Sequence, residues 1–361
     1  MIAVIADDFT GAAELAGISL RYGLSVTVCL DNEIDTNADA DVVIVCTDSR
    51  SMQKAAAIYC TADAVEALLK YEPSLWYKKI DSVLRGYVID EAKVQMELSE
   101  KNKAFICPAN PSLQRTISKG EYFISGKKIT ATDFINDPEF PIGSAKVTAM
   151  VNDETVQVLQ HDDWLPVEGI VIGEAESTED IKAWAAATDD SWMLIGAGDF
   201  YTALLEKNYQ AQPQQKCQLQ SPHLYVCGTA FEERKAFIKK TGCCAYLPET
   251  IDEHWLQHTC SVIKEKGKAV IAIDESNQSA LALRTAMAKA VREIVVRENV
   301  KEIFIEGGST AAAVLEELNI KKLTPVNELS RGVVRMKAGD VFITVKPGSY
   351  KLPGEIVKLY Q

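Results

Sequence analysis

Two adjacent carboxylates, Asp7 and Asp8, close a short apolar run from Ile2 to Ala6, and Phe9, Thr10 and Gly11 follow at once. Acids at a strand end either face a ligand, because ligands collect outside the carboxyl ends of strands in open α/β sheets, or they cap the next helix. Thr10 could cap it as well. A second cluster, Lys78, Lys79, Asp81, Ser82 and Arg85, is packed into a short stretch closed by Gly86. Its cations could hold a carboxylate while its Asp and Ser take hydroxyls, which suits a polyol acid; the same letters also fit a solvated charged loop. A third group, Gly307, Gly308, Ser309 and Thr310, precedes a helical run. There glycines let the backbone approach a phosphate, and hydroxyls add donors to the N–H groups of a helix start. The turn Lys346-Pro347-Gly348-Ser349 could add a cation and a close backbone contact to a nucleotide.

The elements that must position these groups can be read around them. Ile2 to Ala6 is a continuous apolar run, as expected of a strand buried on both faces of a parallel sheet. AAELAGISLRYG has helical spacing up to Gly23. Ser25 to Asp31 and Asp41 to Arg50 are further strands, and Asp48, Ser49 and Arg50 leave the latter as Asp7 and Asp8 leave the first. Strands are also expected at Leu75 to Tyr77, Lys103 to Pro111, Glu168 to Gly173 and Ser191 to Phe200, with helical periods in EAKVQMELSE after the first of these and in AAAIYCTADAVEALLKY; the stretch after Pro111 is polar and Gly-punctuated. The alternation predicts a doubly wound sheet. The Gln- and Pro-rich stretch before His223 predicts a linker, so the expected domains are 1–207 and 223–361, joined by 208–222. Beyond it the pattern restarts as strand, Gly228-Thr229 turn and helix. Strands follow at Lys268 to Ser276, before Gly307 and before Lys346. The fold class expected is α/β, with two domains that are each a mainly parallel sheet flanked by helices.

A chain of 361 residues with 47% hydrophobic and 25% charged residues has ample core for two such domains. A net charge of −13 argues against nucleic acid or an anionic membrane as partner, since either needs a basic face. Nine cysteines, with no C-x-x-C pair, read as reduced thiols, and no apolar run reaches membrane-spanning length. A cytoplasmic location is expected. Several chemistries lose support. Gly120 to Lys128 spaces its glycines wrongly for a P-loop and has no hydroxyl after the lysine. No G-x-S-x-G elbow or G-x-G-x-x-G loop is present, and His254 and His258 lack a third ligand for zinc. Gly196-Ala197-Gly198-Asp199 resembles the anion hole of ribokinase-like sugar kinases, but the four letters stand alone and fit a structural turn better.

Several segments together resemble one family. ADDFTGA, TDSR, KKIDSVLRG and PANPSLQRTISKGEYFISG with TDFINDP are similar to the substrate half of the four-carbon acid sugar kinases; CGTAF, EGGSTAAAVLEEL and VKPGSY occupy the places of its nucleotide loops. The resemblance implies an ATP-dependent kinase, working with Mg2+, that phosphorylates a hydroxyl of erythronate, threonate or a like acid in the interdomain cleft. It implies that Asp8 or Asp81 orients or deprotonates the hydroxyl, and that Asp7 fixes the loop or holds magnesium. Arg50, Lys79, Ser82, Arg85 and Arg115 then bind the sugar acid or the transferring group. Gly228, Thr229, Gly307, Gly308, Ser309, Thr310, Lys346 and Gly348 hold the nucleotide. The metal ligands stay unassigned, and so does the choice between monomer and homodimer. Departures lie in the second half: Gly228-Thr229-Ala230-Phe231 replaces Gly-Ser-x-Ser, and Pro347 removes a backbone donor. They motivate an alternative, a sugar-acid-binding sensor or partner protein without catalysis.

Overall fold

A computed structural model describes every residue except 32, 33, 35–39, 138, 214–216, 230, 275–277 and 349. Residues 214–216 of the expected linker, the end of the strand expected from Lys268, Ala230 and Ser349 thus lie outside the described residues. The chain divides into two compact units, Met1–Gln212 and Pro213–Gln361.

The first unit runs β1 (Ile2–Ala6), α1 (Phe9–Arg21), β2 (Val26–Cys29), β3 (Val42–Cys46), α2 (Lys54–Leu69), β4 (Leu75–Lys79), α3 (Val88–Leu98) and β5 (Lys103–Cys107). It continues through β6 (Arg115–Ser118), β7 (Glu121–Ile124), β8 (Lys127–Lys128), α4 (Val147–Met150), β9 (Gln157–Leu159), β10 (Gly169–Gly173), α5 (Thr178–Ala187), β11 (Met193–Gly196) and α6 (Gly198–Glu206). The main sheet has the order β2-β3-β1-β4-β11-β5-β10-β9, and all its pairings are parallel. Every residue of β1 is buried, as a strand covered on both faces requires. The two faces are distinguished by successive residues of β4. Tyr77 packs on Tyr201 of α6 with ring centroids 4.9 Å apart, whereas Lys78 turns to the other face and meets Glu91 of α3. Helices therefore cover both sides. From β1 the chain passes through α1 to β2 and β3 on one side, and returns through α2 to β4 on the other. That reversal leaves a crevice at the carboxyl ends of β1 and β4.

The polar stretch after β5 forms a separate antiparallel sheet, β6-β7-β8, which the pattern of letters did not reveal. The Gly120 to Lys128 stretch lies in this sheet. Asp199, in the first turn of α6, accepts hydrogen bonds from the Ser112 backbone N–H (2.9 Å) and hydroxyl (2.6 Å), so the Gly196 turn ties two loops together.

The second unit contains β12 (His223–Cys227), α7 (Glu232–Lys239), β13 (Cys244–Tyr246), α8 (Glu253–Lys266), β14 (Lys268–Ala272), α9 (Ala280–Glu298), β15 (Glu302–Glu306) and α10 (Gly308–Glu317). It ends with β16 (Lys322–Ser330), β17 (Val333–Ala338), β18 (Val341–Lys346) and α11 (Gly354–Tyr360). The strand order is β13-β14-β12-β15-β18-β17-β16, parallel from β13 to β18 and antiparallel beyond. A single closing strand was expected, and β16 and β17 went unassigned; in β16, Pro325, Asn327 and Glu328 break any clean alternation. The core gathers Tyr225, Phe304, Ile356 and Tyr360. His254 and His258 are exposed on α8. Among the described residues, no helix is long and apolar enough to cross a membrane.

Candidate active site

In the first unit, the crevice between β1 and β4 collects most of the charged residues singled out above. Asp8 caps α1, accepting from the Gly11 N–H at 2.9 Å and from the Thr10 hydroxyl. The capping and site readings of Asp8 are therefore compatible. Arg50, carried by the turn after β3, donates from Nε (2.9 Å) and Nη2 (2.7 Å) to the two oxygens of Asp7, and its Nη2 also lies 2.9 Å from Asp8 Oδ1. One guanidinium thus spans both acids. Burial pushes the Asp8 carboxyl up, yet Arg50, Lys79 and the hydrogen bonds from Thr10 and Gly11 outweigh it and hold it below the ordinary carboxylate range.

The loop after β4 supplies the opposite wall. Asp81 receives Arg85 Nε at 2.8 Å and Nη2 at 3.1 Å, and Arg85 Nη1 reaches Asp137 Oδ2 at 2.9 Å. Burial again raises the Asp81 carboxyl, but Arg50, Arg85 and Arg115 together drive it well below the usual range. Arg115 donates to the Ser82 hydroxyl. The ring of Phe134 lies under both guanidinium groups, 5.6 Å from Arg85 and 5.9 Å from Arg115. Gly86 joins the two walls, since a Cβ there would stand 3.5 Å from Arg50 Cγ and 3.8 Å from Asp7 Oδ2.

Two expectations for the lysines need correction. The strand was expected to stop at Tyr77, but β4 runs on to Lys79, and alternation sends the two lysines to opposite faces. Lys78 is fully buried against Glu91, away from the crevice. Lys79 does face α1, with Nζ 3.1 Å from the Ile80 carbonyl and 3.4 Å from Glu14 Oε2. It is nearly buried, so it acts on Asp8 through its field rather than as an exposed cation. Phe134, Asp137 and Glu14 went unassigned from sequence; the first two stand in the TDFINDP segment, whose letters do not show which loop they touch.

In the second unit, the turns after β12, β15 and β18 lie side by side because those strands are neighbours. Gly228 and Thr229, then Gly307 to Thr310, then Lys346 to Gly348 meet there. A Cβ on Gly228 would fall 2.0 Å from Thr310 Oγ1 and 3.1 Å from the Glu306 carbonyl, so only glycine allows that approach. Gly307 has φ +110°, and α10 begins directly after it. Gly348 faces the Thr229 hydroxyl.

Beneath these turns sits Glu306, fully buried at the end of β15. It accepts from Lys346 Nζ at 2.8 Å, from Arg234 Nε at 2.8 Å and from the Tyr225 hydroxyl. Lys346 Nζ also donates to the carbonyls of Pro347 (2.7 Å) and Gly348 (3.1 Å). Its three N–H donors have three acceptors, which corrects the expectation that Lys346 offers a cation to the nucleotide. Burial lowers the Lys346 ammonium pKa, with Glu306 pulling the other way. Its backbone still shapes the turn. Glu306 and Arg234 were not singled out from sequence; a lone Glu closing an apolar strand just before Gly-Gly is the signal that marks the first.

A model of a sugar-binding N-terminal domain matches residues 2–204, more than half of the chain, and a model of a nucleotide-binding C-terminal domain matches 241–350. The chain belongs to the four-carbon acid sugar kinase family. The family's relatives include a D-threonate kinase of Salmonella typhimurium, 24% identical over 96% of this chain and 94% of that protein. A D-erythronate kinase of Heliobacterium modesticaldum is 29% identical over 42% of this chain and 35% of its own length. A solved structure from Salmonella typhimurium LT2 shares the fold at TM-score 0.84 and 16% identity, covering 99% of this chain and 98% of that one. Gly228, Thr229 and Arg234 precede the stretch matched by the family's nucleotide-binding model.

Proposed function

We propose that this chain is an ATP-dependent kinase that phosphorylates a hydroxyl of a four-carbon sugar acid of the threonate or erythronate type. The observation that carries the reading is the crevice of the first unit, where Arg50, Arg85 and Arg115 crowd three carboxylates at a topological switch point. Guanidinium groups there bind the acid's carboxylate, and Asp8 and Ser82 take its hydroxyls. In the second unit the turns at Gly228, Gly307 and Gly348 give close-approach backbone for a phosphate chain.

Transfer forms a bond between a substrate hydroxyl oxygen and the terminal phosphorus as the bond to the departing ADP oxygen breaks. The hydroxyl proton passes to Asp8 or to solvent. Such a reaction needs positioning and charge neutralisation more than a strong base, which suits carboxylates held below their ordinary pKa. Asp81, held by Nε and Nη2 of Arg85, serves to orient that guanidinium. Among the described residues no three His, Cys, Asp or Glu side chains are grouped to hold a metal, and Asp7 is engaged by Arg50. No step is therefore assigned to a protein-held metal; magnesium belongs with the nucleotide phosphates, as is usual for that ion. Nine scattered cysteines with no C-x-x-C pair fit a reducing cytoplasm.

A coupled assay of ADP release with Mg·ATP and a panel of aldonic acids tests the reading. Turnover is expected with D-threonate, D-erythronate or a close analogue. Calorimetric binding of one of these acids with no turnover on any member of the panel would favour the sensor instead, which the kinase names of the relatives do not support.

A further inference from the structure

We infer that Arg234 is a phosphate-binding residue of the nucleotide site and takes the part that Lys346 cannot. The inference rests on the kinase reading above. Two cations share the single buried carboxylate of Glu306, so the cluster holds one positive charge more than its own acid neutralises. Tyr225 and Cys227, the other titratable groups against it, have their pKa values raised by burial and stay neutral. Lys346 has every donor engaged. Arg234 does not.

The Arg234 side chain is 9% exposed, and its Nε lies 2.8 to 3.0 Å from the Glu306 oxygens. Its two terminal nitrogens have no hydrogen-bond partner among the described residues, and only the Phe237 ring lies beneath the group at 6.0 Å. A guanidinium anchored through Nε presents its remaining N–H pair as a fork, the geometry that matches two oxygens of one phosphate. The anchor fixes the place of that fork. Glu306 immediately precedes Gly307, and Lys346, on the same carboxylate, opens the Gly348 turn. Arg234 itself follows the Gly228 turn on α7, where the neighbouring Glu232 and Glu233 are exposed to solvent. A buried, partly unpaired cation at the meeting point of three glycine turns has a clear counterpart in a polyphosphate.

The test compares R234K and R234Q with the wild-type full chain, using calorimetry with Mg·ATP, Mg·ADP and adenosine. R234K keeps a cation for Glu306 and so guards the fold should R234Q not accumulate. A loss of at least tenfold in Mg·ATP affinity is expected in both variants, smaller for Mg·ADP and absent for adenosine, with binding of the sugar acid unchanged. A purely structural role predicts equal losses for adenosine and Mg·ATP, and that result overturns the inference. So does Mg·ATP affinity within twofold of wild type in either variant. If the wild-type chain itself binds no nucleotide, the kinase reading falls, and Arg234 with it.

Discussion

Asp8 carries two duties in one side chain, and they can be separated. As N-cap of α1 it needs only an oxygen acceptor, which Asn supplies as well as Asp. As a partner for a reacting hydroxyl it needs its charge. Asp8→Asn keeps the cap but loses the ion pair to Arg50, so it is expected to lose most turnover and some stability, whereas Asp8→Ala loses the cap as well, about 1 kcal/mol more. Thermal melts beside the ADP-release assay decide the matter; a fast Asp8→Asn enzyme removes Asp8 from the chemistry. The same distinction explains Lys346. Its letters suggest a phosphate-binding cation, and only the three acceptors around its ammonium show that the charge is already engaged.

At the scale of elements, the second unit's turns depend on how closely β12 and α10 approach. Gly228→Ala puts a methyl group where Thr310 Oγ1 stands, with the Glu306 carbonyl behind it. A misfit of this kind costs about 1–3 kcal/mol. It also pushes the Gly228 and Gly307 turns apart, so nucleotide affinity should fall while sugar-acid affinity stays. Urea titration and calorimetry on the single variant check both parts, and unchanged nucleotide binding would show that the turns need not touch. Elements with strong local signals, such as β1, α1, β5 and β15, were readable because a continuous apolar run or a helical period states their burial outright. The sheet β6-β7-β8 and strands β16 and β17 were not, since these short or irregular antiparallel strands carry no clean period-two pattern of their own.

For the whole molecule, acid stability follows from a histidine with no place in the chemistry. His223 is buried on β12 with Nδ1 2.6 Å from the Tyr360 hydroxyl, and burial, with Lys268 and Arg335 nearby, lowers its pKa to about 3. In the unfolded chain it titrates near 6.5. Above that pH both states are neutral and nothing changes. As pH falls from there to about 3, the unfolded chain takes up a proton that the folded one refuses, so stability drops by about 1.4 kcal/mol per pH unit. The urea midpoint of the second unit should therefore fall more steeply between pH 6 and 4 in the parent than in His223→Asn, and parallel slopes would contradict the assignment. Sequence by itself determined the α/β class, the strand ends at which acids and glycines stand, and the family, because periodicity, turn residues and motifs are local properties of the chain. Tertiary structure alone decided which charges remain open. It set Arg50 across Asp7 and Asp8, sent Lys78 to the far face of the sheet, closed Lys346 onto Glu306 and anchored Arg234 on the same carboxylate through Nε alone. Pairing energy depends on distances of a few ångströms between residues tens of positions apart, and no spacing along the chain encodes them.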